Sequence, residues 1–223
     1  MALHYIYDFG IKKVTFTKNN YKLFCEHIER AMIYMANIYF ISGPCGCGKS
    51  TFTDAFAKHM VTAEEKKQVY VIHGDDFHQG FVLRSYEEEP FWENGQAADQ
   101  AEWHEILKFN WECILDVAGK ALARNIDVLI DYVVEDEMPL LRKLADEHSA
   151  ELYYIVLTAS KEAITARIRE RGDIEMTDRA LFLKRKLEEM PENKGKLYDN
   201  SEKTLDEEVE EISRDIGRFI VEE

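Results

Sequence analysis

The sequence predicts an α/β fold, a parallel sheet with helices on both faces. Two observations carry it. Short apolar runs recur along the chain and are separated by stretches with apolar residues three and four apart, the order expected of strands alternating with helices. The runs are apolar throughout rather than alternating, as strands buried on both faces require. From residue 37 the elements follow in order. Asn37–Ser42 (NIYFIS) reads as a buried strand, Ser50–Met60 as a helix and Gln68–His73 (QVYVIH) as a second strand. Ala97–Ala123 reads as one long helix, because Trp103, Ile106, Leu107, Trp111, Ile114, Leu115, Ala118 and Leu122 share one side at helical spacing. Asp127–Val134 is a third strand, Glu137–Ser149 a helix, Leu152–Thr158 a fourth strand and Lys161–Arg171 a helix. Thr177–Met190 is a charged helix, Leu197–Asn200 a short fifth strand and Leu205–Val221 a closing helix. Residues 186–196, with Pro191 and Gly195, read as a polar loop within the domain.

Residues 1–36 read as an N-terminal extension to a domain spanning 37–223. Within the extension Val14–Thr17 suits a short strand, and Asn20–Met35 carries Leu23, Phe24, Ile28 and Met32 at helical spacing. Two readings stay open, an appended segment or an extra helix packed on the domain edge.

The chain has 223 residues and a formal net charge of −15, from 43 acidic and 28 basic side chains. Such a surface repels nucleic acid and anionic membrane, so neither is an expected partner. Of the four cysteines, Cys45 and Cys47 sit one residue apart in a glycine-rich turn that a disulfide would distort, and Cys25 and Cys113 are isolated. That pattern suits a reduced, cytoplasmic chain. No signal peptide is evident, and no apolar stretch approaches the roughly 20 residues of a membrane span.

The turn after the first buried strand is Gly43-Pro44-Cys45-Gly46-Cys47-Gly48-Lys49-Ser50-Thr51, which fits G-x-x-x-x-G-K-[ST] between a strand and a helix. The chemistry needs each part. Glycines let the backbone turn tightly with its N–H groups pointing inward, and the helix N-terminus adds a favourable field for anions. Lys49 reaches the β- and γ-phosphates of a nucleoside triphosphate, and the Ser50 hydroxyl binds Mg²⁺. Cys45 and Cys47 read as small side chains filling variable positions. The fold expected is therefore a three-layer P-loop NTPase fold with a five-stranded parallel sheet and a helical lid at about 172–196.

The second strand ends in His73-Gly74-Asp75-Asp76-Phe77-His78. Ligands of an open parallel sheet bind beyond the carboxyl ends of its strands, so Asp75 or Asp76 sits near the phosphates. A carboxylate there can take the proton of an attacking hydroxyl and help hold Mg²⁺ through water. Asp75, nearer the strand, is the better candidate. Asp131 lies within the apolar third strand, where an unpaired charge is costly, and this points to a partner such as Ser50 or metal-bound water. Glu135, Asp136 and Glu137 suit a helix start. Arg167 and Arg171, four apart on one helix, can offset charge on a transferring phosphoryl group, and the charged segment after them suits a lid that excludes water.

With these residues in view the sequence resembles the small P-loop kinases of the nucleoside-monophosphate-kinase-like group. ISGPCGCGKST is similar to their phosphate loop. GDDFH is similar to the D-x-F stretch of uridine kinases, zeta toxins and antibiotic phosphotransferases, and ARIRERGD to their arginine-bearing lid approach. LYDNSEKTLDEEVEEI resembles their final strand, adenine-side loop and last helix. The resemblance spans roughly residues 37–220 and implies that Asp75 is the catalytic base. Signatures of gluconate or shikimate kinases are missing. Glu87–Trp92 and the long helix carry acids, aromatics and amides instead of arginines, which favours a neutral or cationic hydroxylated acceptor over a phosphorylated one. The function expected is ATP-dependent transfer of a phosphoryl group to a hydroxyl of a small molecule, with ATP and Mg²⁺ as cofactors. A nucleotide-gated switch and a kinase of nucleic-acid ends are the alternatives. The first is disfavoured because no N-K-x-D occurs, the second by the −15 charge.

Overall fold

The computed structural model describes residues 4–8, 13–17, 35–62, 68–81, 92–93, 96–97, 101–133 and 136–222. The chain divides into two units, Met1–Met35 and Ala36–Glu223. In the first, β1 (His4–Asp8) and β2 (Lys13–Thr17) pair antiparallel, with His4 opposite Thr17. The helical stretch expected over Asn20–Met35 lies, but for Met35, outside the described residues.

In the second unit the chain runs through β3 (Ile38–Ser42), α1 (Lys49–Thr62), β4 (Val69–His73) and α2 (Asp75–Gln79). The two-residue strands β5 (Trp92–Glu93) and β6 (Gln96–Ala97) then pair with each other, ahead of α3 (Ala101–Leu122). Next come β7 (Asp127–Asp131), α4 (Met138–His148), β8 (Leu152–Thr158), α5 (Lys161–Arg171), α6 (Thr177–Glu189), β9 (Leu197–Asp199) and α7 (Leu205–Arg214). Five strands form one sheet in the order β4-β7-β3-β8-β9, every pairing parallel. Parallel neighbours require crossovers, and helices supply them.

Residues of β3 alternate between two cores. Ile38 and Phe40 pack with Trp111, Ile114, Ile130, Leu141 and Tyr154 on one face. Tyr39 and Ile41 pack with Phe52, Phe56, Leu129, Ile155 and Ile212 on the other. This two-sided burial is why β3, β7 and β8 read as continuous apolar runs. Aromatic stacking fixes the layers: Phe40 lies over Trp111 with centroids 5.9 Å apart, and Tyr39 over Tyr153 at 4.7 Å.

Helix ends follow local chemistry. The Ser160 hydroxyl accepts from the Ala163 amide to start α5, and Gly172, at φ +87°, ends it. Thr204 and Glu207 form a reciprocal capping box on α7. Glu137 is the N-cap of α4 but makes no side-chain cap bond.

Several expected boundaries move. The closing helix stops at Arg214, followed by a 3-10 turn over Ile216–Phe219. Leaving the helix buries Phe219 and lets Ile220 bridge Tyr153, where the Val221 amide donates to the Leu152 carbonyl. β7 stops at Asp131, three residues earlier than expected; the Tyr132 amide still donates to the Ile41 carbonyl (3.2 Å), and the Tyr132 ring packs against Gly74. α3 starts four residues later than expected, since Gln96 and Ala97 pair with Trp92 and Glu93. α6 ends at Glu189, within a residue of the helix expected over Thr177–Met190, so the expected loop over 186–196 begins inside it; Leu187 is buried in the core, and Ala180 packs on Ile164 and Ile168.

Candidate active site

Strand register brings the phosphate loop and two acidic segments to one edge of the sheet. Ile41 and His73 both lie level with Asp131, so β3, β7 and β4 end together. The first glycine after β3 is obligatory. Gly43 has φ +148°, and a Cβ there would meet the Leu157 carbonyl oxygen at 2.4 Å. Gly46 and Gly48 also have positive φ, at +78° and +96°. The Cys47 amide donates back to Pro44 (3.3 Å), and α1 is under way when Phe52 donates to Gly48 (2.9 Å).

The two loop cysteines are packing residues here. Cys47 is fully buried among Tyr39, Phe52 and Ile155, and burial pushes its thiol pKa up, so it stays protonated. Cys45 lies against the Ile164, Ile168 and Ala180 cluster. Cys45, Cys47 and Cys113 are free thiols among the described residues.

Lys49 opens α1 and is 9% exposed. Its ammonium donates to the Pro44 carbonyl at 3.4 Å, a long bond to a neutral acceptor. Burial opposes its charge, yet the loop thiols and the Asp75 and Asp131 carboxylates outweigh it and hold its pKa above the ordinary value, so the cation is present for an incoming anion. Next to it the Ser50 hydroxyl donates to Asp131 Oδ1 at 2.9 Å. Asp131 is 2% exposed, and its other oxygen accepts from His73 Nδ1. The far ring nitrogen of His73, Nε2, lies 3.5 Å from Asp54 Oδ1 on α1. Burial opposes a charge on the His73 ring. The Asp131 carboxylate, with Asp54 and Asp76 nearby, outweighs it and holds the His73 pKa above its ordinary value.

Asp75 and Asp76 form the first turn of α2, both exposed, immediately beyond β4. Gly74 sets that turn: its amide donates to the Asp131 carbonyl at 2.9 Å, and a Cβ on it would meet the Tyr132 ring at 2.4 Å. Behind the turn, the Asn110 side-chain amide donates to Tyr132 Oη (3.1 Å) and contacts His78 Nδ1 (3.2 Å). Burial pushes the Tyr132 phenol up to about 12.

The two arginines part company. Arg167 reaches the underside of the loop: Nη1 donates to Asn200 Oδ1 at 3.0 Å and, at greater length, to the carbonyls of Cys47 (3.4 Å) and Gly46 (3.5 Å). Asn200 adds a 2.8 Å bond from Nδ2 to the Cys47 carbonyl and a 3.1 Å bond to Glu208. Burial raises the Glu208 pKa to about 7, against the opposing effects of Asn200 and Arg167. Arg171 instead pairs with Asp173 at 2.7 Å at the exposed end of α5.

Oxygen donors fit Mg²⁺, and the site offers them: the Ser50 hydroxyl beside the Asp131 carboxylate, with Asp75 at the adjoining strand end. Such an ion keeps most of its water and the phosphates as ligands, so a hydroxyl and one or two carboxylates suffice. Among the described residues no three His, Cys, Asp or Glu side chains group as a metal cage. A cavity of about 690 Å³ opens elsewhere, between α4, Tyr154, Asn193 and Val221, and no phosphate-loop residue lines it.

Sequence reasoning missed His73, Asn200, Glu208 and Asn110. His73 and Asn200 were legible only as polar residues ending apolar strands. Asn110 and Glu208 were hidden in helix patterns, since nothing in the spacing distinguishes a buried polar residue from a solvated one.

An all-parallel sheet whose central strand runs through this glycine-rich loop into a helix defines a P-loop nucleotide-binding protein. The chain belongs to the family described as AAA domain, whose model matches residues 40–204. No protein of curated function matches it in sequence. Solved structures share the fold. The APS kinase of Mycobacterium tuberculosis, in complex with AMPPNP and APS, has 15% identity and a TM-score of 0.54 over 81% of this chain and 96% of that one. A gluconokinase from Sinorhizobium meliloti has 19% identity and a TM-score of 0.52 over 83% and 93%. The tunicamycin resistance protein of Deinococcus radiodurans has 15% identity and a TM-score of 0.53 over 84% and 99%. Among the described residues no helix is long and apolar enough to cross a membrane.

Proposed function

We propose that this protein is an ATP-dependent phosphotransferase acting on a hydroxyl of a small molecule. The observation that carries the reading is the meeting of Lys49, the Ser50–Asp131 pair and Asp75 at neighbouring strand ends. Gly43–Thr51 cradles the triphosphate, and Lys49 exchanges its weak carbonyl bond for the β- and γ-phosphates. Bound Mg²⁺ would supply neutralisation of charge on the phosphate oxygens, with Ser50 and Asp131 holding it and Asp75 assisting through water. The acceptor oxygen attacks the γ-phosphorus while its proton passes to Asp75. The bond from phosphorus to the β–γ bridging oxygen breaks, and ADP leaves. Arg167 once it releases Asn200 and the loop carbonyls, or Arg171 once it leaves Asp173, offsets charge on the phosphoryl group, and residues 172–196 form the lid.

The acceptor side favours a neutral or cationic hydroxyl compound. His78 on α2 contacts Asn110, which donates to Tyr132, the pair Phe81 and Phe109 packs edge to face, and Asp76 adds negative charge. A phosphorylated acceptor would call for arginines there. The kinase neighbours support transfer rather than hydrolysis, as their names are those of small-molecule kinases. The test is Asp75→Asn. Phosphoryl transfer to the acceptor should fall about 10²- to 10⁴-fold with ATP binding retained, and an unchanged rate would remove Asp75 from the mechanism.

A further inference from the structure

The His73 side chain has no part in the chemistry just described, yet it occupies the one remaining oxygen of the buried carboxylate at its centre. Four groups stand in line: Asp54 on α1, His73 at the end of β4, Asp131 at the end of β7, and Ser50 at the start of α1. The line begins and ends on the same helix, one turn apart, and passes through two strand ends. A carboxylate only accepts hydrogen bonds, so Nδ1 of His73 carries the proton that faces Asp131. Asp131 is buried, and without that donor one of its oxygens would lose a hydrogen-bond partner and the carboxyl group could swing about its χ2 torsion.

We infer that His73 is a positioning residue for the metal site, holding the Asp131 carboxylate so that Oδ1 stays on the Ser50 hydroxyl, with Asp54 fixing the ring from behind. The inference rests on the reading of Ser50 and Asp131 as the groups that hold Mg²⁺. Partners that orient a metal-holding carboxylate have large effects without touching the ion, typically 10- to 100-fold in metal affinity. Because α1 carries both ends of the line, the same contacts tie the phosphate-loop helix to the strand end that presents Asp75.

Two amide substitutions separate orientation from bulk. Asn places its amide nitrogen near the position of Nδ1, and Gln places its own near Nε2. Calorimetric titration of the full chain with ATP, once in excess Mg²⁺ and once in EDTA, gives a ratio of affinities that reports the metal site alone. For His73→Gln the ratio should fall about 10- to 100-fold while the EDTA affinity holds, and His73→Asn should restore the ratio towards wild type. Equal losses with and without metal would mean that His73 supports the loop in general, and an unchanged ratio in His73→Gln would remove it from the metal site; either overturns the inference. A wild-type protein that binds ATP no more tightly with Mg²⁺ would instead overturn the metal reading itself, and this inference with it. If His73→Gln fails to fold, Asp54→Asn changes an exposed carboxylate with little structural risk. A smaller fall in the ratio is then expected, and no fall overturns the line of contacts.

Discussion

Lys49 shows how neighbouring groups decide what a buried charge does for a fold. Its ammonium is buried on one long bond to a carbonyl. Burial opposes this charge, but the loop thiols and the Asp75 and Asp131 carboxylates outweigh it and hold the Lys49 pKa above its ordinary value, so the folded state favours the ammonium. Lys49→Met should therefore lower the melting temperature and weaken ATP binding by about 10- to 100-fold, the scale of a lost charge-assisted hydrogen bond. Thermal unfolding and calorimetry on the same sample check both halves. Gly43 is constrained by space rather than by charge. Its φ of +148° and the Leu157 carbonyl at 2.4 Å from a would-be Cβ leave no room for a side chain. Gly43→Ala should cost about 2 kcal/mol or more in denaturant unfolding and weaken nucleotide binding as well.

At the scale of elements, α7 and β9 support the phosphate loop from below through Glu208, Asn200 and Arg167. Glu208 is 5% exposed with a pKa raised from 4.5 to about 7. Between those two values the unfolded chain releases this proton and the folded chain keeps it. Stability falls as pH rises through that window, by up to about 3 kcal/mol from this group alone. Glu208→Gln keeps an acceptor for Asn200 and removes the charge. Denaturant curves across pH 4 to 8 should show the variant losing less stability than wild type towards neutral pH, with the two converging in acid. Part of this architecture was legible in sequence and part was not. The inner strands β3, β7 and β8 came from apolar runs within a residue at all ends but one, because burial on both faces leaves a signal that polar neighbours cannot mimic. The phosphate loop was legible because its glycines and Lys49 answer to local geometry. The Arg167–Asn200–Glu208 group was not, since its members lie 33 and 8 residues apart and meet only after β8 and β9 pair. The end of the closing helix was misjudged for a similar reason. Phe219 and Ile220 continue a helical pattern, but their burial against β8 outweighs it.

For the molecule as a whole, the −15 charge and the parallel sheet set different limits. The charge bears on partners. The protein should pass through a phosphocellulose column at low salt, and retention there would favour action on nucleic-acid ends. The sheet bears on where a ligand binds, beyond the carboxyl ends of its strands, where Asp131 ends β7 and Lys49 and Asp75 open the helices that follow β3 and β4. What enters beside them decides whether the bound triphosphate serves a kinase or a switch. The measurement that addresses this most directly is ATP consumption by the full chain across nucleosides, sugars, aminoglycosides and amino alcohols, with Asp75→Asn run in parallel. The account predicts that one class of hydroxyl compound raises the rate and accumulates as its phosphomonoester in step with ADP, and that Asp75→Asn abolishes the rise. A slow hydrolysis that no acceptor stimulates, and that Asp75→Asn leaves intact, would contradict it.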